Sequence, residues 1–380
     1  QVYKTALTDA SLRSLTYPSA VATTFDLNFN TIAEDFTFTR GSEATFVNAQ
    51  GLIQSTASND APRLDYSTGA EAFLLEPQST NLITQSELFS DSYWAKTEGL
   101  TVSSLGGGLS PNGVNNADLI TVNNGRLNKD LSVNNSTTYV LTAYYKGAVG
   151  DTLNMDLGAA TKVVTLTGEW QRESISFTTT STFTAINLID NRASGTALTV
   201  EVWGAQLEQS YATSYIPTSG ASATRNQELC NNATPVINSE EGTLYFEGSA
   251  LSNNETRYLS ISDGSSSNRV RFGYTSPSNS YRLLIIKNGA IQVDITNTVS
   301  NTLSYNKFAI KYKQNDFAIW VNGIEVSTQL SGLTPVGLSE LSFDNGSGGD
   351  KFFGNTKGLK YYPKALADVQ LQDLTSWGSF

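Results

Sequence analysis

Carboxylates are the residues of this chain that could carry acid/base or metal chemistry. Four of them fall within one short segment: Asp60, Asp65, Glu71 and Glu76. Two carboxylates that converge can act as a general acid and base, and a larger oxygen cluster can bind calcium. Spacing along the chain does not establish convergence, so the favoured interpretation is solvated loop carboxylates and partners for Arg40 and Arg63.

The residue types that are missing exclude several chemistries. The 380-residue chain has no histidine and one cysteine, Cys230. Triads of the Ser/His/Asp or Cys/His kind therefore cannot form, no disulfide can form within the chain, and zinc or copper sites lack their usual ligands. The net charge of −11 argues against binding a phosphate backbone. No apolar run approaches the ~20 residues of a membrane span.

Composition and alternation predict an all-β chain. Only 16% of the residues are charged, whereas aromatic, Ser, Thr, Asn and Gly residues are abundant. That balance favours strands and turns, and short spacing between turns is typical of sandwiches or jelly rolls. Strands are predicted in the middle of the chain at Asn116–Val122, Thr138–Lys146, Thr152–Leu157, Lys162–Thr165, Glu169–Thr178, Thr184–Ile189 and Leu198–Leu207.

Further strands and hairpins are predicted on both sides of this region. Phe25–Phe29 and Phe36–Arg40 alternate as strands, and a hairpin turns at Asn48–Gly51. Asn288-Gly289 and Asn322-Gly323 each separate two apolar runs, and Asn-Gly is the strongest short signal for a two-residue hairpin turn.

The two ends of the chain repeat each other. Residues 2–16 align without a gap with 361–375, and each copy has the pattern of a strand end, a turn and a short helix. Leu371 and Leu374 supply an apolar helix edge, with Asp368 in the first turn. We expect residues 1–16 to be the tail of an upstream repeat absent from this chain, or to dock on a neighbouring subunit.

The stretch Thr199–Arg225 suggests a biological setting. Its first half alternates as a strand, and its second half is rich in Tyr, Ser, Thr, Pro and Gly, as in an exit linker. The string W-G-A-Q-L-E followed by S-Y-I-P-T-x-G-x-x-x-T-R resembles a module common in virion proteins of tailed bacteriophages, especially tail-fibre and other appendage proteins. Residues 40–82 contain strings similar to those that precede this module. The layout of the middle region resembles carbohydrate-binding modules with a β-sandwich fold.

The C-terminal part resembles concanavalin A-like (laminin-G-like) lectin sandwiches. The residues that carry this resemblance are A-I-K-Y, A-I-W-V-N-G, L-S-F-D, F-F-G-x-x-K-x-L-x-Y-Y and the closing pattern Y-x-x-A-L-x-D-x-x-L-x-x-L. Some such domains hold calcium, and here Asp344 and Asp350 are the candidate ligands, although a Gly-rich turn explains them without metal. No cofactor is expected, with calcium as the one alternative. The E-x-D-x-x-E motif of glycosidases on this fold is absent, so we expect no enzyme.

Aromatic side chains are the candidate sugar-binding residues that the resemblance implies, because flat rings with a polar edge stack on sugar rings. The candidates are Trp94, Tyr144, Tyr145 and Trp170. Tyr144 and Tyr145 are adjacent on a strand, so one points inward and one outward. Trp170 is expected at the rim. Core positions are the favoured interpretation for Trp94 and for Trp203, which is expected to share a face with Ala205 and Leu207.

Together these patterns predict tandem β-sandwich (jelly-roll) domains, with a short C-terminal helix closing the lectin-like domain. The expected segments are an upstream repeat tail (1–16), a hairpin-rich connector (17–85), a carbohydrate-binding-module-like sandwich (86–215), a linker (216–238) and a lectin-like sandwich (239–380). The resemblance implies a non-enzymatic phage virion protein on the particle surface that binds host-surface glycans and other virion proteins. By analogy it is a homo-oligomer, a trimer. A secreted bacterial adhesin, or the carbohydrate-binding region of a polysaccharide-degrading enzyme, is the alternative, and a depolymerase is a third class.

Overall fold

The computed structural model describes residues 25–27, 29–97, 99–192 and 197–378. It divides into two compact units. The N-terminal unit is Phe38–Leu229, and the C-terminal unit is Cys230–Phe380 together with the described part of Gln1–Thr37. The predicted repeat copy at residues 2–16 lies outside the described residues.

Strands make up most of the described chain. The first, short strands are β1 (Phe25–Asp26), β2 (Thr37–Thr39), β3 (Thr45–Val47), β4 (Ile53–Ser55), β5 (Leu64–Asp65), β6 (Ala72–Leu75), β7 (Ser79–Asn81) and β8 (Ala95–Lys96). Longer strands follow: β9 (Leu100–Leu109), β10 (Asn115–Val122), β11 (Arg126–Ser132), β12 (Thr138–Gly147), β13 (Thr152–Leu157), β14 (Ala160–Thr165), β15 (Gln171–Thr178), β16 (Phe183–Asp190), β17 (Leu198–Gln209), β18 (Ala223–Arg225) and β19 (Leu229–Asn231).

The remaining strands belong to the C-terminal unit: β20 (Glu241–Ala250), β21 (Arg257–Ser262), β22 (Arg269–Thr275), β23 (Ser280–Lys287), β24 (Ala290–Thr298), β25 (Asn306–Lys313), β26 (Phe317–Val321), β27 (Ile324–Gln329), β28 (Glu340–Ser342) and β29 (Gly354–Tyr362). Helical segments are short: a 3-10 turn (Phe29–Thr31), α1 (Ile32–Asp35) and α2 (Asp368–Thr375). Phe29 therefore begins a helical turn, whereas the sequence predicted that it would continue a strand.

The N-terminal unit is a sandwich of two five-stranded antiparallel sheets. One sheet has the order β15–β12–β17–β10–β9, and the other has the order β14–β13–β16–β11–β8. Both sheets contribute to one hydrophobic core, which includes Leu141, Leu153, Leu188 and Val200. The alternation in β12 follows the side-chain period of two, because Tyr139, Leu141, Ala143 and Tyr145 all face this core.

Segments outside the two sheets belong to the same unit. The predicted hairpin at Asn48–Gly51 is present as β3 and β4, and β18 pairs with β7. Tyr215 and Ile216 are 3% and 5% exposed. Interpretation of the second half of Thr199–Arg225 as an exit linker is therefore wrong, because Tyr215 and Ile216 are buried within the unit instead of being solvated.

The C-terminal unit is a second antiparallel sandwich. One sheet contains β27–β26–β25–β20–β29, with β1 also paired to β29, and the other has the order β24–β23–β22–β21–β28. Phe308 on the first sheet lies 4.8 Å from Phe272 on the second between ring centroids. Both Asn-Gly hairpins form as predicted, since Asn288 and Asn322 have a φ of 50° and the glycines that follow have φ of 79° and 87°.

The closing helix α2 confirms the prediction for the C-terminal copy of the repeat. Leu371 is buried and Leu374 partly buried against Ala309, Ala318 and Trp320 of the first sheet. The fold is therefore all-β, with tandem sandwiches and a short C-terminal helix that packs on the second one. No described helix is long and apolar enough to cross a membrane.

Candidate functional site

Two of the four candidate sugar platforms are core residues. Trp94 is 2% exposed, its indole Nε1 donates to the Gln85 carbonyl at 2.9 Å, and its ring lies 5.5 Å from Phe89. Tyr145 is fully buried and donates its hydroxyl to the Leu188 carbonyl at 2.7 Å. Neither ring can meet a ligand, because both stabilise the sandwich core. The core position favoured for Trp94 is confirmed, and the candidate role of Trp94 and Tyr145 in ligand binding is wrong.

Tyr144 and Trp170 are both half-buried on the outer side of the β15–β12–β17 sheet. They pack against a small aromatic cluster that includes Trp203, Tyr215 and Ile53. The Tyr144 ring lies 5.5 Å from the Trp203 ring, and Trp203 lies 4.5 Å from Tyr215. One side of each half-buried ring packs against the cluster, and part of each ring is exposed to solvent. We call Tyr144 and Trp170 the aromatic platform.

A backbone irregularity explains why Trp203 joins this cluster. The pairing of β12 with β17 shifts between Thr142 and Tyr144, and Gly204 on the opposite strand has a φ of +65°. Trp203 therefore faces outward while Ala205 and Leu207 face the core, and the predicted shared face is wrong. A Cβ at Gly204 would lie 3.0 Å from Tyr144 Cδ2, so glycine also permits the close approach of the rings.

Polar groups border the aromatic platform. The indole Nε1 of Trp170 donates to the Leu109 carbonyl at 2.9 Å, which fixes the ring. Lys146 Nζ lies 6.0 Å from the ring centroid and pairs with Glu201 at 3.2 Å. Arg172 lies 5.6 Å from the Tyr144 ring centroid. This arrangement offers a stacking surface with hydrogen-bonding groups beside it, which is the chemistry that a sugar ring needs.

A separate cavity of about 210 Å³ lies in the N-terminal unit. Its lining includes Thr45, Ser55, Tyr215, Ile216 and Arg225. Sequence reasoning missed it, because two of its walls come from the segment that was interpreted as a linker. Ligand pockets usually have volumes of about 300–1,000 Å³, so this cavity is too small to displace the aromatic platform as the leading site.

The candidate metal loop hydrogen-bonds within itself. Asp344 is 4% exposed, burial raises the pKa of its carboxyl, and its Oδ1 accepts the Gly346 N–H at 2.6 Å. Asp350 is exposed and accepts from Asn345 Nδ2 at 3.1 Å. Among the residues that the structure describes, no three Asp, Glu, Cys or His side chains are grouped to hold a metal ion. The Gly-rich turn accounts for these contacts, and the expectation of no cofactor stays a prediction.

The four clustered carboxylates do not form one site. Asp60 accepts the backbone N–H groups of Arg40 and Gly41, both at 2.7 Å, and these two bonds lower the pKa of its carboxyl. Asp65 accepts from Val47 N at 2.8 Å, and Glu71 accepts from the Tyr66 hydroxyl at 2.5 Å. Asp65 and Glu76 are buried, and only Glu76 among the four forms ion pairs with arginines within the described residues.

Glu76 belongs to a buried ionic network with Glu228 and three arginines. Arg63 bonds to Glu76 at 2.7 Å and to Glu228 at 2.5 Å. Arg225 lies 2.8 Å from Glu76, and Arg40 lies 2.9 Å from Glu228. Burial by itself would raise the pKa of Glu76, but Arg225, Arg63 and Ser214 outweigh it and lower the pKa to about 2. The predicted pairing of these carboxylates with arginines is confirmed for Glu76 and Arg63, whereas the predicted solvated position is wrong for Asp65 and Glu76, which are 3% and 2% exposed.

Comparisons with known proteins give partial likenesses only. No protein-family model and no curated protein matches the sequence. The CBM40 domain of Ruminococcus gnavus IT-sialidase bound to α2,3-sialyllactose is 16% identical, with 37% of this chain and 84% of that chain covered and a TM-score of 0.33. Domain 4 of AbnA, a GH43 extracellular arabinanase from Geobacillus stearothermophilus, in complex with arabinotriose, is 11% identical, covering 44% of this chain and 82% of that one, with a TM-score of 0.33.

A third solved structure is the native heptameric SAP-like pentraxin from Limulus polyphemus. It is 13% identical over 39% of this chain and 80% of that chain, with a TM-score of 0.29. Because these TM-scores are low, the function of this chain has to be inferred from its own residues.

Proposed function

We propose that this protein is a non-enzymatic attachment protein whose β-sandwich units bind glycans on a host cell surface. The observation that carries the proposal is the aromatic platform. Trp170 and Tyr144 are half-buried and held by packing on Trp203 and Tyr215. A partly exposed ring that is already fixed loses little conformational entropy when a ligand stacks on it.

The platform lies on an open sheet face, so a single site of this kind binds weakly. Useful attachment then requires several copies acting together, because linked sites raise the effective concentration of each further contact. We therefore propose a homo-oligomer, a trimer by analogy with phage fibres, on the surface of a tailed-phage virion. The support for the phage setting is the resemblance of the strings at 40–82 and 203–225 to virion appendage proteins.

The buried carboxylates support a non-enzymatic role. A glycosidase needs a general acid whose pKa is raised, next to a second carboxylate. Arg225 and Arg63 instead hold the pKa of Glu76 at about 2, against the opposing effect of burial. Burial raises the pKa of Glu87, but its two oxygens accept from Tyr215 at 2.8 Å and from Asn116 at 2.9 Å. The lack of catalysis is part of the proposal.

The second candidate function is a secreted bacterial adhesin or the carbohydrate-binding region of a polysaccharide-degrading enzyme. It uses the same platform, so glycan binding alone does not separate the two settings. Mass spectrometry of purified particles does: peptides of this chain together with phage structural proteins favour the virion, whereas the chain free in culture medium favours the alternative.

The test of glycan binding uses the full chain and a panel of envelope polysaccharides. Trp170→Ala should weaken binding about three- to tenfold, since a stacked aromatic contact is worth roughly 0.5–1.5 kcal/mol. The matched control is Trp377→Ala, because Trp377 is 48% exposed but lies in the C-terminal unit. Equal binding by the wild type and both variants would remove the platform from the proposal.

A further inference from the structure

The outer face of the β21–β22–β23 sheet contains an arginine, Arg271, that has neither an ion-pair nor a hydrogen-bond partner among the described residues. In the register of these strands, Ser260 lies opposite Arg271, and Arg271 lies opposite Leu284. Opposite residues of an antiparallel pair share a face. The neighbouring Phe272 packs on Phe308 in the core, so Arg271 and Ser260 face away from the core.

Arg271 is 8% exposed, yet it forms no ion pair and no hydrogen bond with the described part of the chain. Its Nε is buried without an acceptor, while its guanidinium stacks on the Tyr258 ring at 4.2 Å. Only Nε is closed off from solvent, so the Nη groups of Arg271 remain able to donate to an acceptor supplied from outside.

Two neighbouring groups have unused donors on the same face. Ser260 is fully buried, and its hydroxyl has no partner within the described residues. Arg269 is 8% exposed and donates through Nη1 to the Asn345 carbonyl at 2.6 Å, but its Nε is also without an acceptor. Gly346 borders this group, since a Cβ there would lie 3.3 Å from both Ser260 Oγ and Arg269 Cδ.

The acidic groups that face Arg271 are already engaged. Asp294 accepts two bonds from Arg282, at 2.7 and 2.6 Å. Asp350 accepts from Asn345. Burial lowers the pKa of Arg271, Tyr258 opposes this effect, and Arg282 adds to it. The positive charge of Arg271 is therefore not neutralised by an ion pair with either carboxylate.

We propose that Arg271 and Arg269 bind the anionic group of an acidic saccharide, a sugar carboxylate or sulfate ester. The guanidinium fork matches such oxygens geometrically. The net charge of −11 argues against binding a phosphate backbone, so the ligand assigned is a single anionic group on a saccharide and not a nucleic acid. The inference rests on the proposed glycan-binding function, and it assigns the C-terminal unit a preference for charged sugars.

The test is a titration of the full chain with D-glucuronate, D-glucose 6-sulfate and D-glucose, followed by ligand-observed NMR. The wild type should bind at least one of the two charged sugars, and glucose about tenfold more weakly or not at all, since hydrogen bonds to charged groups are the strong ones. Arg271→Gln should reduce binding of the charged sugar about tenfold. Arg271→Lys, which keeps the charge without the fork, should give an intermediate loss.

The matched control is Lys313→Gln, because Lys313 is a cation of the same unit but lies on β25 of the other sheet, paired with Glu241. It should change the affinity less than twofold. The inference is overturned if neither charged sugar binds the folded wild type, or if Arg271→Gln and Lys313→Gln have equal effects. If either of these results is found but the chain still binds polysaccharide, the proposed glycan-binding function is retained and only the anion site is rejected. If charged sugars bind at Arg271 but no polysaccharide binds, the anion site is retained and the proposed function is rejected.

Discussion

Two groups of buried arginines, one in each unit, differ in whether they meet a carboxylate. In the N-terminal unit, Arg40, Arg63 and Arg225 are at most 3% exposed, and all three pair with Glu76 or Glu228. In the C-terminal unit, Arg269 and Arg271 are each 8% exposed and pair with no carboxylate within the described residues. The two groups of arginines are similarly buried, so they differ in whether a carboxylate lies within ion-pair distance.

This difference gives a criterion that distinguishes arginines that stabilise the fold from arginines that are available to bind a ligand. An arginine that pairs with a carboxylate can hold together segments that are far apart in sequence: Arg63 and Glu228 are 165 residues apart. An unpaired arginine stabilises nothing by ion pairing, and its desolvation cost remains. Mutation of a paired arginine or its partner should lower the free energy of unfolding, whereas mutation of an unpaired arginine should lower the affinity for a ligand.

The largest expected effect comes from Glu228→Gln. This change leaves Arg40 and Arg63 buried with a weaker acceptor, and breaking one side of a buried ion pair costs about 3–5 kcal/mol. Chemical denaturation of the full chain should show that loss in the free energy of unfolding of the N-terminal unit. Glu43→Gln is the control, since Glu43 is exposed. A loss below about 1 kcal/mol, the level of a surface pair, would show that the network is not structural.

The next effect is a loss of stability in acid. Arginine partners lower the folded pKa of Glu76 to about 2, against an ordinary value of 4.5. A lowered folded pKa means that the stabilisation is fully present above about pH 4.5 and is lost as the pH falls towards 2. Denaturation between pH 2 and 7 should show this decline, and Glu76→Gln should flatten it. An equally steep decline in the variant would assign it to other groups.

The smallest effect on stability is expected from Arg271→Met. Removing an unpaired buried charge and keeping an apolar side chain of similar length should leave stability unchanged or raise it by about 1 kcal/mol. Thermal denaturation of the full chain measures it. A destabilisation as large as that of Glu228→Gln would place Arg271 among the structural arginines and remove the contrast between the two groups.

Local signals explain what could be predicted from the sequence. The Asn-Gly hairpins and the helix at Asp368–Thr375 depend on a few adjacent residues, and both were predicted correctly. Strands β9 and β11 were missed. β9 reads LTVSSLGGGL and its pairing with β10 shifts register twice, while β11 places Lys129 and Asp130 in mid-strand. Glycines, bulges and charges hide the alternation on which strand prediction depends.

The sites required long-range information. Nothing near Trp203 in the sequence shows that a bulge at Gly204 turns its ring outward. Trp94 and Trp170 are equally aromatic in sequence, but only the fold buries the first and leaves the second half-exposed. The pairing state of Arg271 depends on where Asp294 and Asp350 make their own contacts. The spacing of residues along the sequence does not predict these orientations, exposures and contacts.

The most direct test of the central claim measures attachment and turnover in one sample. The intact chain is incubated with the envelope polysaccharide of a candidate host, and both the retained protein and the released oligosaccharide are measured over time. We predict that the protein is retained on the polysaccharide in a saturable manner, that Trp170→Ala weakens this retention, and that no oligosaccharide is released. Release of oligosaccharide by the wild type, or no retention on any polysaccharide of the panel, would contradict a non-enzymatic attachment function.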